Sequence, residues 1–584
     1  MSAEDGIRRT GRHSDRAIFR QSGLTGVAAM AGVIAGLILD IAIAWRFGAG
    51  AKTDEFFVAA RIPIGLVAVI TAAANQALVP AFRTSMTQRG ERSTDRLISM
   101  VIAVVVIVGA ALVLLTWLVA GPFVHITAPG LPVGEVSTAA SMVPVMFAMI
   151  PLVAVAEVMR AYLNARYAFV APALMTVVLN GLAAAMIIVL PILGWKAIFL
   201  VAIAFVSGAA AQLVFMCAMA VRNGLRLRPE LDLGDEQLRS VGKLCIRPLG
   251  AAGLNPVARL GEQLVVSFLP IGSISVLNYG FLINSAVGGT VFFRSVIVAL
   301  VPRLTDAHNL GGHAEVRRVT GLGVRIMLAI SLPLTAFMAV LGKPAAVAVF
   351  HRGQFVLPQA ELLGTVLIVY SISLIGQAMQ RALLAPFYAR LDTRTPLRNA
   401  LYGLVANLVL LPLLVLPFGL HNRNAIIGVA LAYSLAQYVN AGHAWYRLTH
   451  TDGNPLRGVL PFAIRLVIAS ALSATAMIGA SLVLNLGEEA RNSDRVQLLI
   501  RTPIAGVVGL AVLLAAMYLL AGGEIRNWRT LLRRRPPLGG GDGSATIVVD
   551  DQAGSPGPET ELGDGPGKGT QALEENTPIA ANLP

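Results

Sequence analysis

Apolar blocks of about 20 residues or more recur along nearly the whole chain, and that recurrence fixes the solvent before anything else. A helix of about 20 apolar residues crosses the ~30 Å hydrocarbon layer of a bilayer. Such a helix also satisfies its own backbone hydrogen bonds where no water can reach. The composition agrees: 56% of residues are hydrophobic, 13% are charged and the mean hydropathy is +0.71, whereas a soluble domain carries roughly 25% charge. The expected fold class is an all-α polytopic membrane protein.

Blocks bounded by charge, Gly and Pro predict about fourteen spans, near 23–46, 55–80, 97–121, 138–163, 167–192, 197–221, 243–269, 272–302, 320–342, 357–382, 395–419, 423–447, 460–486 and 498–521. Lys and Arg in the connecting loops test that division, because loops on the cytoplasmic side retain positive charge. One set of alternate loops holds thirty basic residues, in groups such as Arg8 to Arg20, Arg83 to Arg96, Arg222 to Lys243 and Arg526 to Arg535. The other set holds eight: Arg46, Lys52, Lys196, Lys343, Arg352, Arg423, Arg491 and Arg495. The bias predicts a cytoplasmic membrane protein with N-terminus and C-terminus inside, and it requires an even number of spans. It also disposes of nucleic acid as a partner for a chain of net charge +14, since the basic residues are spread over many short loops and suit contacts with membrane lipids. The first apolar run is too long for a cleavable signal, so the first helix is expected to direct insertion.

The organisation expected is a basic N-terminus (1–22), an N-lobe of six spans (23–221), a linker (222–242), a C-lobe of six spans (243–447), two accessory helices (448–521) and a tail (522–584). The tail is rich in Gly, Pro, Asp and Glu without apolar periodicity, a composition that predicts disorder. Its GDGPGKGT stretch, Gly563 to Thr570, lacks the Walker spacing. Cys217 and Cys245 have no partners at metal spacing and read as packing residues. The eight histidines, His13, His125, His308, His313, His351, His421, His443 and His450, are scattered over loops and helix ends. No metal, cofactor or catalytic constellation is expected, so the chain reads as a carrier and not as an enzyme.

Ionisable residues inside spans are costly unless paired or wetted, and they mark transport pathways. Asp40, Arg61, Arg259, Glu262 and Arg294 are the candidates for a substrate cavity. Glu157 with Arg160, and Arg259 with Glu262, lie one turn apart and suit helix-internal ion pairs. Arg325 and Arg465 lie near span ends, where they can snorkel. Spans 1 and 2 open the first half and spans 7 and 8 the second, which is the pattern of two six-helix repeats facing a central site. Arginines there suit an anionic phosphate or pyrophosphate.

Six segments resemble the MurJ/MviN family of lipid II flippases, within the multidrug/oligosaccharidyl-lipid/polysaccharide exporter superfamily. They are RFGAGAKTDEFFVAARIP (Arg46 to Pro63), NQALVPAF (Asn75 to Phe82), HITAPGL (His125 to Leu131), AYLNARYAFVAPALMTVVLN (Ala161 to Asn180), FHRGQF (Phe350 to Phe355) and LLAPFYARLDTRTPLRNA (Leu383 to Ala400). The resemblance implies two six-helix lobes around a central cavity, a groove formed in part by the last two helices, and alternating access that carries a lipid-linked glycan, by default lipid II. It marks Asp54, Asp392 and Arg394 as a loop or gating motif. The family's first-helix acid is kept as Asp40, but its two arginines become Val33 and Leu39; the second-span arginine and acid fall at about Val67 or Ala68 and Ala72, and the eighth-span arginine at Leu282. Three readings follow: a lipid II flippase; an exporter of another polyprenyl-linked glycan or a small amphiphile; or a transport-dead scaffold. The acidic tail is a candidate docking segment for cell-wall synthesis proteins.

Overall fold

The computed structural model describes residues 3–189, 197–228, 230–290, 292–310, 312–390, 392–487 and 495–533, and these are almost wholly helical, with no strand among them. The N-lobe comprises α1 (Ala3–Phe47), α2 (Ala51–Ala73), α3 (Val79–Arg89), α4 (Glu91–Thr127), α5 (Val133–Ala165), α6 (Val170–Val189) and α7 (Phe199–Arg222). The C-lobe comprises α8 (Glu236–Val266), α9 (Ser273–Asn284), α10 (Phe292–Leu310), α11 (Gly312–Phe350), α12 (Leu357–Ala389), α13 (Arg394–Val415) and α14 (Ala425–Asp452). Two further helices follow, α15 (Leu460–Val483), packed on α11, and α16 (Arg495–Arg533). Contacts divide the chain into a body, Met1–Ile525, and a second unit, Arg526–Pro584, whose described part is helical to Arg533. The rest of the tail, GDGPGKGT included, lies outside the described residues.

Among the described residues, twelve helical elements are long and apolar enough to cross a membrane. The helix α8 and the α9–α10 pair complete the expected fourteen. The first holds Arg259 and Glu262 within its 31 residues, and in the second a π-helical turn, Ser285–Thr290, separates α9 from α10. A matching π turn, Ala74–Leu78, separates α2 from α3. Neither break is legible as a sequence pattern.

The helices run further than the predicted spans. The span expected at 97–121 lies within a 37-residue helix, α4, and that at 320–342 within the 39 residues of α11. Charged residues end the hydrocarbon segment but not the helix, since Glu, Lys and Arg are good helix formers in the headgroup region and water. Likewise α8 begins inside the 222–242 stretch, at Glu236, where the Asp235 carboxylate accepts from the N–H groups of Gln237 (2.8 Å) and Leu238 (3.1 Å) as a helix cap. In the N-lobe a buried cluster of Leu78, Phe82, Leu97, Ile98, Met159 and Tyr162 binds α3, α4 and α5, with Cys217 and Cys245 packed against it.

Candidate functional site

The arginine-poor face is sealed by bonds between the lobes. Gln354 N donates to the Trp45 carbonyl (3.0 Å), and Gln359 accepts from Ala49 N (3.2 Å) while donating back to the Ala49 carbonyl (2.5 Å). Glycine is required at the closest approaches. Gly48 (φ +72°) and Gly353 (φ +58°) take left-handed backbone, and a Cβ on either would strike the backbone of Gln354 or Trp45. The RFGAG and FHRGQF segments, about 300 residues apart in sequence, thus meet backbone to backbone. Gly130, in HITAPGL, adds a third contact by donating to Ser267 Oγ (3.1 Å).

Asp54 is the charged centre of this seal. Its buried carboxylate accepts from Gly272 N (2.6 Å), Ser275 N (2.8 Å) and the Ser275 hydroxyl. It therefore caps the N-terminus of α9, where unpaired N–H groups and the helix dipole favour an anion. Beneath it Tyr279 meets Phe57 edge-on at 5.3 Å and lies 5.8 and 5.9 Å from Phe350 and Phe355; such ring pairs contribute about 0.5–1.5 kcal/mol each beyond area burial.

Deeper between the lobes, Arg61 on α2 donates to Gln263 Oε1 (2.9 Å) and Asn278 Oδ1 (3.1 Å). One turn along α8, Arg259 pairs with Glu262, whose other oxygen accepts from Asn407 (2.9 Å). The Arg259 guanidinium lies 3.5 Å over the Phe281 ring, and Phe281, Tyr370 and Tyr433 pack edge-on around it. Arg61, Arg259 and Glu262 therefore share one polar core, and Arg259 is already committed to a buried ion pair. Asp40 sits half-buried on α1, without hydrogen bond or ion pair among the described residues. The Arg294 side chain lies outside the described residues. At the positions where the resemblance implies arginines, Leu39 is buried in packing, Val33, Val67 and Leu282 are half-buried, and Ala68, the other candidate of the second span, is exposed.

Asp392 and Arg394 stand apart from this core, at the start of α13 on the arginine-rich face. Asp392 accepts from Arg394 N (2.8 Å), Thr395 N (3.2 Å) and the Thr395 hydroxyl (2.6 Å), while the Arg394 side chain is exposed. Partial burial pushes the Asp392 carboxyl upward, but the bonds from Thr395 and Arg394 outweigh it and hold the group below the usual carboxylate range. The stability it adds is accordingly present above the unfolded carboxylate pKa and lost as pH falls through the lower folded value. Asp392→Ala is expected to cost about 1 kcal/mol, the worth of a helix cap, read as a lower unfolding temperature in detergent.

The same face holds a cluster that sequence reasoning missed. Asp452, fully buried, accepts from Arg390 (2.5 Å) and His313 Nδ1 (2.6 Å), tying together the ends of α11, α12 and α14. No local pattern marks it, because its partners lie 62 and 139 residues away. Between α11, α15 and α16 an apolar groove of about 430 Å³ is lined by Pro333, Phe337, Met477, Pro503 and Val507. Among the described residues no three His, Cys, Asp or Glu gather in a way that could hold a metal ion.

Comparison with known proteins places these features. The sequence profile of the family described as "Lipid II flippase MurJ" matches residues 43–488. The chain is 26% identical over 473 residues to the probable lipid II flippase MurJ of Vibrio cholerae, covering 76% of this chain and 86% of that protein. It is 26% identical over 430 residues to the lipid II flippase MurJ of Burkholderia cenocepacia, covering 68% and 78%. A solved structure titled "Lipid II flippase MurJ, inward closed conformation" superposes with TM-score 0.69 at 19% identity, over 87% of this chain and all of that one. An inward-facing multidrug resistance MATE transporter superposes with TM-score 0.63 at 14% identity, over 73% and 98%.

Proposed function

The chain belongs to the lipid II flippase MurJ family, and we propose that it carries lipid II, the lipid-linked peptidoglycan precursor, across the cytoplasmic membrane by alternating access. The observation that carries this reading is the family match itself, which runs through both lobes from residue 43 to residue 488. It favours lipid II over another glycan, a small amphiphile or a scaffold role, and a carrier over an enzyme. The charge bias of the loops supports an inside location for both termini, which makes the arginine-poor face the outer one. On that assignment the structure is closed outward.

Arg61 is the residue we assign to the phosphate groups of the substrate. It reaches the polar core from the N-lobe, its two acceptors are neutral amides, and its second terminal nitrogen has no partner among the described residues. Asp40, also unpartnered, is the gating or ion-linked acid. Arg259 and Glu262 line the core as a fixed pair. The lipid tail would lie along the groove of α11, α15 and α16, whose apolar lining suits a polyprenyl chain. The acidic tail of the protein is assigned to docking of cell-wall synthesis proteins on its composition.

The test is to deplete a cell of its own lipid II flippase and measure externally accessible lipid II when this chain is expressed. Restoration is expected. Arg61→Ala is expected to lower it at least tenfold, since a charge-assisted hydrogen bond contributes about 1.5–3 kcal/mol and about 1.4 kcal/mol is a factor of ten. Stable expression without restoration would overturn the lipid II reading.

A further inference from the structure

The second membrane-crossing element of each lobe is broken by one π-helical turn: Ala74–Leu78 between α2 and α3, and Ser285–Thr290 between α9 and α10. A π turn accommodates one residue more than an α turn, so the i→i−4 bonding ladder is interrupted and the helix can bend there.

In both elements the hydrogen bonds of the seal lie on one side of the break. On the arginine-poor side, α2 is bonded to the other lobe, through Asp54 to Gly272 and Ser275 and through Arg61 to Gln263 and Asn278. From the end of the π turn onward, Leu78 and Phe82 belong to a buried cluster built mainly with α4 and α5 of the same lobe, which Val241 of α8 also joins. The C-lobe repeats the arrangement. The α9 segment is held by Asp54 and its Tyr279 hydroxyl donates to the Gly48 carbonyl (3.4 Å), whereas Leu300, Leu304 and Ala307 of α10 pack with Val316, Val319 and Ala385 of their own lobe. Each helix thus bears the seal on one side of its break, in addition to its packing within its own lobe.

The two breaks are held differently. At Thr71, in the last turn before the first π turn, the hydroxyl donates to Glu157 Oε1 (2.6 Å) and the carbonyl accepts from Arg160 Nη2 (3.2 Å). Glu157 is buried and ion-paired to Arg160, so a charged clamp on α5 grips the backbone of α2 beside the break. The C-lobe break has a neutral counterpart: Asn284 donates to Ser373 Oγ (3.2 Å), which also accepts from Gln377 (2.9 Å).

We propose that the two π turns are the pivots about which the seal-forming halves of α2 and α9 swing when the arginine-poor face opens, and that Glu157 and Arg160 are positioning residues that fix the N-lobe pivot at Thr71. The proposal rests on the alternating-access reading above. It gives the Glu157–Arg160 pair a purpose beyond helix pairing: a bend moves the seal usefully only if its position is fixed.

The experiment uses the full chain in liposomes, with Cys217 and Cys245 replaced by Ala and Ala49→Cys as reporter. Ala49 is 2% exposed in the seal, so a membrane-impermeant maleimide applied to the arginine-poor side labels it only when that face opens. Deleting Ala77 removes the extra residue of the π turn and restores α-helical bonding with both halves in phase. The deletion is expected to slow labelling at least tenfold and to reduce lipid II transfer equally. Arg160→Met, which frees the Thr71 carbonyl and leaves only its hydroxyl bonded to Glu157, is expected to speed labelling several-fold while transfer falls several-fold, with Arg160→Lys restoring both. A merely structural role for Arg160 would lower labelling and transfer together or leave both unchanged, and either result overturns the positioning role. Parental labelling and transfer in the deletion variant overturn the pivot. Should the deletion variant fail to accumulate, the Arg160 series decides alone. Labelling needs no substrate, so a parent that opens normally yet moves no lipid II counts against the substrate and leaves the pivots to be judged by labelling.

Discussion

Asp54→Ala is expected to unseal the arginine-poor face and to cut lipid II transfer at least tenfold while both lobes stay folded. The carboxylate receives two backbone N–H groups and one hydroxyl from the N-terminus of α9, and all three donors belong to the opposite lobe. Hydrogen bonds to a charged group contribute about 1.5–3 kcal/mol each, and every bond here exists only while the face is closed. Their loss therefore acts as a difference between two conformations, where about 1.4 kcal/mol shifts the populations tenfold. Within the N-lobe Asp54 makes none of these bonds, so the lobe's own packing is spared. Maleimide labelling of Ala49→Cys reads the open fraction directly and should rise at least tenfold. Asp54→Asn keeps one acceptor oxygen but loses the charge that complements the α9 dipole, and it should fall between. Unchanged labelling in Asp54→Ala would mean that the glycine contacts at Gly48 and Gly353 close the face unaided.

Much of this was legible in the sequence because it rests on periodic or summed quantities. Span number follows from apolar block length, and the alternation of Arg and Lys was readable without any contact. The RFGAG and FHRGQF segments could be singled out, and they prove to be the two sides of one interlobe contact. What stayed hidden depends on partners far apart in the chain. Asp54 could be flagged within its motif, but its capping of α9 requires Gly272 and Ser275, 218 and 221 residues away. The pairing of Arg61 with Gln263 and Asn278, and the burial of Asp452 against Arg390 and His313, are likewise products of tertiary packing. The π turns escape for another reason: one additional residue in a helix changes no composition and leaves only a phase shift. Arg259 illustrates the limit on charge counting, since an arginine inside a span signals a polar environment equally well whether it awaits a ligand or already faces Glu262.

That last ambiguity is open to a stability experiment with a large expected effect. Glu262→Gln leaves the Arg259 guanidinium buried over Phe281 without its counter-ion, and breaking a buried pair from one side costs about 3–5 kcal/mol. The variant should unfold well below the parent temperature in detergent and accumulate poorly in the membrane. The double variant Arg259→Met with Glu262→Leu removes both charges and fills the space with apolar atoms. A buried pair replaced in this way is often neutral or stabilising, so most of the lost stability should return. The remaining cost comes from the Asn407 side chain, which donates to Glu262 at 2.9 Å and would lose its acceptor. Thermal unfolding of the two variants thus separates the structural contribution of the pair from any other. With stability recovered, lipid II transfer reports on the chemistry alone. Transfer near the parental rate assigns Arg259 to holding α8 against α13 and leaves Arg61 as the phosphate contact; a stable double variant that carries nothing would show that Arg259 must exchange Glu262 for the substrate's phosphates during transport.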